Sequence, residues 1–111
     1  MKKIEAIIRP ERVNSVIAAL GTAGHHGVTV YEVAGHGKQR SHAERQGDGE
    51  AQLRPKVMLI IVVKDSDLDH VVKLIMQTAK TDTMGDGRIF VSELTDVFRI
   101  RTGEHNDKAL G

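Results

Sequence analysis

The segment KVMLIIVVK at 56–64 holds seven consecutive apolar residues between two lysines. It is too short to cross a bilayer. Rich in β-branched residues, it reads as a central strand buried on both faces of a sheet. Such a strand needs cover from two sides, and the chain has only 111 residues with which to supply it. That length makes one compact domain, 1–111, and leaves too little for two. Tyr31, Phe90 and Phe98 are the only aromatics, so the core has to be aliphatic. Small aliphatic cores commonly gain burial by oligomerising.

Other elements follow from periodicity. KKIEAIIR at 2–9 alternates as a strand, and Pro10 closes it next to a helix start. In ERVNSVIAALGTAG, Val13, Val16, Ile17 and Leu20 fall on one helical face, and Gly21 and Gly24 mark its end. GVTVYEVAG at 27–35 alternates as a second strand. SDLDHVVKLIMQTAK at 66–80 places Leu68, Val71, Val72, Ile75, Met76 and Ala79 on one stripe, with Ser66 and Asp69 as a capping box. RIFVSEL at 88–94 is a further strand and VFRIR at 97–101 a short extension. The order strand, helix, strand, strand, helix, strand predicts an α+β, ferredoxin-like βαββαβ fold. Its four-stranded antiparallel sheet carries both helices on one face, and the aliphatic strand then calls for cover on the other face from further copies of the chain, for which a closed trimer with its sheets lining a central core is expected.

Residues 37–54 do not fit the compact pattern, since GKQRSHAERQGDGEAQLR is almost devoid of apolar side chains. An excursion this long between two strands predicts a mobile regulatory loop. Three clusters then carry basic residues, two of them with glycines: Gly35, Gly37 and Lys38; Gly85, Asp86, Gly87 and Arg88; and Arg99 with Arg101. The glycines of TDTMGDGRIFV follow a helix and precede a strand, which excludes a Walker loop and a dinucleotide fingerprint. Successive amides at 85–87 can instead form an anion nest, with Arg88 adding charge. In an extended segment, Arg99 and Arg101 would point to one side. Together the clusters suggest a polyphosphate, and three solvated turns are the alternative.

Charge and composition exclude other classes. Sixteen Lys and Arg balance fifteen Asp and Glu, so there is no basic excess to favour nucleic acid or membrane. The strand KVMLIIVV lacks the stacking aromatics of an RNA-binding sheet. Cysteine is absent, which removes disulfides and thiolate metal sites. MKKIEAIIRP carries an acid and an early Arg-Pro, unlike an export signal, so a cytoplasmic protein is expected. No nucleophile with an evident base and no carboxylate pair in apolar surroundings is present, so an enzyme is not expected. Six histidines stand at 25, 26, 36, 42, 70 and 105, with none spaced i, i+4 on a predicted helix, and they read as surface or turn residues.

MKKIEAIIRP, GVTVYEVAGHGKQ, PKVMLIIVV, TDTMGDGRIFV and RIRTGE together resemble the PII family of nitrogen-regulatory signal proteins over nearly the whole chain. The resemblance implies a homotrimer of ferredoxin-like subunits that binds ATP or ADP between subunits. It implies a loop, here 37–54, that acts on a membrane transporter or metabolic enzyme in nitrogen or carbon metabolism. By position it implies Gly27, Val28, Thr29 and the backbone of Val62 around the adenine. Gly35, Gly37, Gly85, Asp86, Gly87 and Arg88 would hold the phosphates. Lys38, Arg99 and Arg101 would complete the charge, partly from a neighbouring subunit. Gln39 would ligate Mg²⁺ beside ATP and touch 2-oxoglutarate, with Lys56 pairing a carboxylate of that acid.

The chain departs from the family pattern in the loop, which is shortened and reads RQGDGEAQ where a tyrosine-bearing stretch stands in nitrogen sensors. Without that tyrosine there is no uridylylation at that residue. Ile60 replaces a frequent Glu, and His36 stands between Gly35 and Gly37. A divergent metal- or anion-responsive trimer, for example one linked to bicarbonate and without a 2-oxoglutarate response, remains the second reading.

Overall fold

The computed structural model describes residues 1–37 and 52–111. Strand β1 (Lys2–Ile8) leads through a 3₁₀ turn at Pro10–Arg12 into α1 (Val13–Thr22). Strands β2 (Val28–Gly35) and β3 (Arg54–Val63) follow. A second 3₁₀ turn at Asp65–Asp67 feeds α2 (Leu68–Ala79), and β4 (Arg88–Glu93) completes the sheet. The strand order is β2-β3-β1-β4 and every pairing is antiparallel. This is the ferredoxin-like α+β arrangement expected from the element order.

The expectation of two-sided burial for β3 is not met within one chain. Leu59, Ile61 and Val63 are buried, whereas Met58, Ile60 and Val62 between them are half-exposed. The reason is geometric: both helices cover the same face. The core joins Ile4, Ala6 and Ile8 of β1 to Leu59, Ile61 and Val63 of β3, beneath Val16, Leu20, Val71, Ile75 and Ala79 of the helices. Each buried Leu or Ile contributes about 1.5–3 kcal/mol. As expected, no aromatic ring takes part.

Directly opposed residues of an antiparallel pair share a face. Thr29, Ile60, Glu5 and Phe90 therefore form one row on the face away from the helices, and Tyr31, Met58, Ile7 and Arg88 form the next. Phe90 is 46% exposed and Tyr31 47%. Apolar side chains thus dominate a sheet face that no other element among the described residues covers.

Three local expectations need correction. Ser66 and Asp69 do not form a capping box: the 3₁₀ turn runs straight into α2, Asp67 at the cap has helical angles, and no side chain caps the helix. Gly21 lies inside α1; the left-handed residue that turns the chain is Gly24, at φ 93°. The segment 97–101 is no strand extension. Arg99 N–H donates to Glu104 O at 2.8 Å and Gly103 N–H to Arg99 O at 2.8 Å, with Phe98 bridging His105. Gly103 at φ 75° permits this tight hairpin. Most of the expected regulatory loop, 38–51, including Lys38, Gln39 and His42, lies outside the described residues.

Candidate functional site

Residues 80–87 connect α2 to β4, and the turn is held together by Asp86. Thr81 N–H donates to Asp86 Oδ2 at 2.7 Å and Asp82 N–H at 3.0 Å. Arg9 Nε donates to Oδ1 at 2.9 Å, and the Thr81 hydroxyl donates to the same oxygen. Burial pushes the Asp86 carboxyl up, but the bonds from Thr81, Arg9 and the two amides outweigh it. They hold the acid well below its ordinary 3.8. Arg9 continues with Nη2 to Met84 O at 2.7 Å and Thr83 Oγ1 at 3.0 Å. Its position is fixed by β1 on one side and Pro10 on the other.

The carboxylate of Asp86 is thus consumed in shaping the turn, and what this position can offer an anion is its amide. Gly85 and Gly87 sit at φ 100° and 99°, where side chains are disfavoured. A Cβ on Gly87 would fall 1.7 Å from Ile7 O, so the turn is pressed against the β1 backbone. Lys56 joins from β3: its Nζ donates to Gly85 O at 2.5 Å, and the residue is 8% exposed. Burial first, and then the Arg9 charge, lower its pKa. Gly35 lies against the Lys56 side chain, 3.7 Å from its Cγ to the place a Cβ would take. Gly35 of the first cluster and Gly85 of the second therefore meet around Lys56, while Lys38 lies outside the described residues. Gly37 lies two residues past the end of β2 at this same end of the sheet.

Arg88 opens β4 opposite Ile7, exposed, beside the glycine turn. The third cluster does not join it. Leu94 N–H donates to Met1 O at 3.1 Å, at the far end of β4. The hairpin that follows walls a cleft of about 900 Å³ with Met1, Glu93 and residues 102–108. In the hairpin itself, Arg99 Nη1 donates to Glu104 Oε1 at 3.1 Å and Nη2 to Gly111 O at 2.7 Å, while Arg101 is exposed in the turn. Arg99 and Arg101 are not matched neighbours on a strand; one is tied down and the other presented. Gly27, Val28 and Thr29 lie at the start of edge strand β2, with Thr29 exposed. Val62, opposite Lys3, is half-buried on the open face.

Sequence reasoning missed Arg9 and the internal use of Asp86. Asp86 reaches back to the amides of Thr81 and Asp82, five and four residues before it, a pattern no short turn motif announces, and the partner arginine comes from 77 residues away. It also missed that His25 and His70 approach each other, with ring centroids 6.4 Å apart.

Residues 1–104 match the family model described as Nitrogen regulatory protein P-II. The chain belongs to this family. It is similar to Nitrogen regulatory protein P-II 2 of Methanothermobacter thermautotrophicus, at 49% identity over 112 residues that cover 99% of this chain and 97% of the relative. Nitrogen regulatory protein P-II of Pasteurella multocida and P-II 1 of Escherichia coli K12 are each 46% identical, over 99% of this chain and all of theirs. Arabidopsis thaliana PII, solved bound to citrate, matches with a TM-score of 0.82 and 38% identity, covering 98% of this chain and 88% of that one. P-II proteins are regulators, and this chain is a signal-transduction regulator rather than an enzyme. Among the described residues, no helix is long and apolar enough to cross a membrane.

Proposed function

We propose that this P-II chain is a cytoplasmic homotrimer that binds ATP or ADP between subunits and reports the bound nucleotide through residues 37–54 to a transporter or metabolic enzyme. The observation that carries the reading is the split site. The glycine turn, Lys56 and Arg88 stand at one end of the sheet, and Arg101 is presented from a hairpin beyond the other end of β4. A second copy supplies the missing half. The uncovered face bearing Ile7, Met58, Ile60 and Phe90 gives copies a reason to associate.

In this reading the amides of 85–87 and Arg88 receive phosphates, with Gly35 and Gly37 at the same end of the sheet and Lys38 adding charge. Thr29, flanked by Gly27 and Val28, and the Val62 backbone receive adenine. Arg101 closes the charge from the neighbour, and Arg99 braces the hairpin. Gln39 ligates Mg²⁺ when ATP is bound. Lys56 is the cation for a small carboxylate or anion, 2-oxoglutarate or bicarbonate; the citrate carried by the Arabidopsis relative is of the same chemical class.

Calorimetry with ADP, Mg-ATP, 2-oxoglutarate and bicarbonate, beside light scattering, tests the proposal. Saturable ADP binding to a trimer is the expected result. A monomer at micromolar concentration, or no heat with either nucleotide, overturns it. Heat with bicarbonate but neither nucleotide selects the anion-responsive alternative.

A further inference from the structure

We propose that His25 and His70 form a two-histidine site for a transition-metal ion, Zn²⁺ or Cu²⁺, clipping the turn between α1 and β2 onto α2. The site is independent of the nucleotide reading and lies among the helix-side elements, away from the glycine turn.

His25 is placed by the end of α1. Gly24, left-handed at φ 93°, reverses the chain, and His25 N–H donates to Leu20 O at 2.8 Å. The residue is half-buried, so its ring is confined. His70 stands in the first turn of α2, exposed, with α2 packed alongside α1. The two ring centroids are 6.4 Å apart with planes at 45°. That separation falls within the about 4.5–7 Å of ordinary ring pairs, so the two imidazoles are close neighbours across the α1–α2 seam. Zn–N bonds of about 2.0–2.1 Å at a tetrahedral angle would put the two centroids roughly 5 Å apart, about 1 Å nearer than they stand. A small rotation of the exposed His70 side chain closes the difference.

Among the described residues neither ring makes a hydrogen bond, so ring nitrogens are open to a ligand. Nor do three or more His, Asp or Glu side chains converge anywhere among them. The ion therefore keeps water in its other positions. Two imidazoles with water favour Cu²⁺ and Zn²⁺ over the oxygen-seeking Mg²⁺ and Ca²⁺. The clip would hold residues 24–27, the entry to β2.

The test uses the full chain with any affinity tag removed, titrated at neutral pH with Zn²⁺ or Cu²⁺ by calorimetry and followed by thermal unfolding. One ion per chain and a raised melting temperature are expected, with no response to Mg²⁺. The Cu²⁺ EPR spectrum should show coordination by two imidazole nitrogens. Losing a direct ligand should weaken binding by at least the about 10–100-fold seen for second-shell partners. That loss is expected in His25→Ala and in His70→Ala, with His70→Gln as a second variant, and not in His105→Ala. The absence of saturable Zn²⁺ or Cu²⁺ binding overturns the proposal. So does full affinity in folded His25→Ala and His70→Ala proteins, or an equal loss in His105→Ala.

Discussion

Arg88 and Arg101 provide the sharpest test of where the nucleotide sits. Arg88 begins β4 and Glu93 ends it, five steps later, or about 17 Å at 3.3–3.4 Å per residue. The hairpin with Arg101 starts beyond that end. A phosphate on the glycine turn is thus beside its own Arg88 and remote from its own Arg101. Both side chains are exposed, so alanine at either position should leave the fold intact. Each substitution removes a charge-assisted bond of roughly 1.5–3 kcal/mol, which weakens ADP binding about ten- to a hundred-fold. Co-refolding Arg88→Ala and Arg101→Ala chains in equal amounts then separates the geometries. If each cleft takes Arg88 from one subunit and Arg101 from the next, random mixing restores both arginines in about a quarter of clefts. If both come from one subunit, no cleft regains both. Calorimetry at a concentration between the two affinities counts the tight sites. A mixture with no tight sites, from variants that are each weakened alone, refutes the split-site argument.

Gly87→Ala should destabilise the fold or displace the turn by more than about 3 kcal/mol, combining left-handed strain with the clash against Ile7 O; chemical denaturation measures it. Gly21→Ala should stabilise by about 0.5–1 kcal/mol, because its Cβ meets only the His26 ring, at 3.6 Å, inside a helix; a melting temperature at or below the parent's contradicts this. Asp86→Ala should cost roughly 1.5–3 kcal/mol by leaving Arg9 and the 81–82 amides without their acceptor. Because the folded Asp86 pKa is depressed, its contribution is fully present above the unfolded value of 3.8 and lost as pH falls through the folded one. Parent and Asp86→Ala stabilities should therefore converge only below about pH 4 and run parallel from there to neutrality.

Much of the architecture was legible because burial imposes a period. The buried 4, 6, 8 and 59, 61, 63 of the inner strands alternate, and 71, 75 and 79 of α2 repeat every fourth residue. Only the helix-facing half of the aliphatic run is covered, since sequence shows that a residue is apolar but not which body of protein buries it. Where small polar groups decide the geometry, local reading failed. The Ser66 box gave way to a 3₁₀ turn, with Asp65 paired to the Met1 ammonium at 3.0 Å. VFRIR alternates like a strand but is folded back by Gly103 and the bond from Arg99 N–H to Glu104 O.

The glycine turn shows why a signature can be legible while its residues' roles are not. GDGR reads as an anion nest because glycine permits left-handed backbone and arginine supplies charge. In the fold the acid between the glycines would repel a phosphate if its carboxylate faced outward. Arg9 and Thr81 draw that carboxylate inward. Lys56 then anchors the Gly85 carbonyl, so an acid and a base from the candidate site both serve first to set its shape. An ammonium has three donors, so any carboxylate that reaches Lys56 would share it with the Gly85 carbonyl. A metabolite on Lys56 would therefore perturb the same turn that is proposed to hold the nucleotide, and the two ligands would be coupled through Gly85 without touching each other.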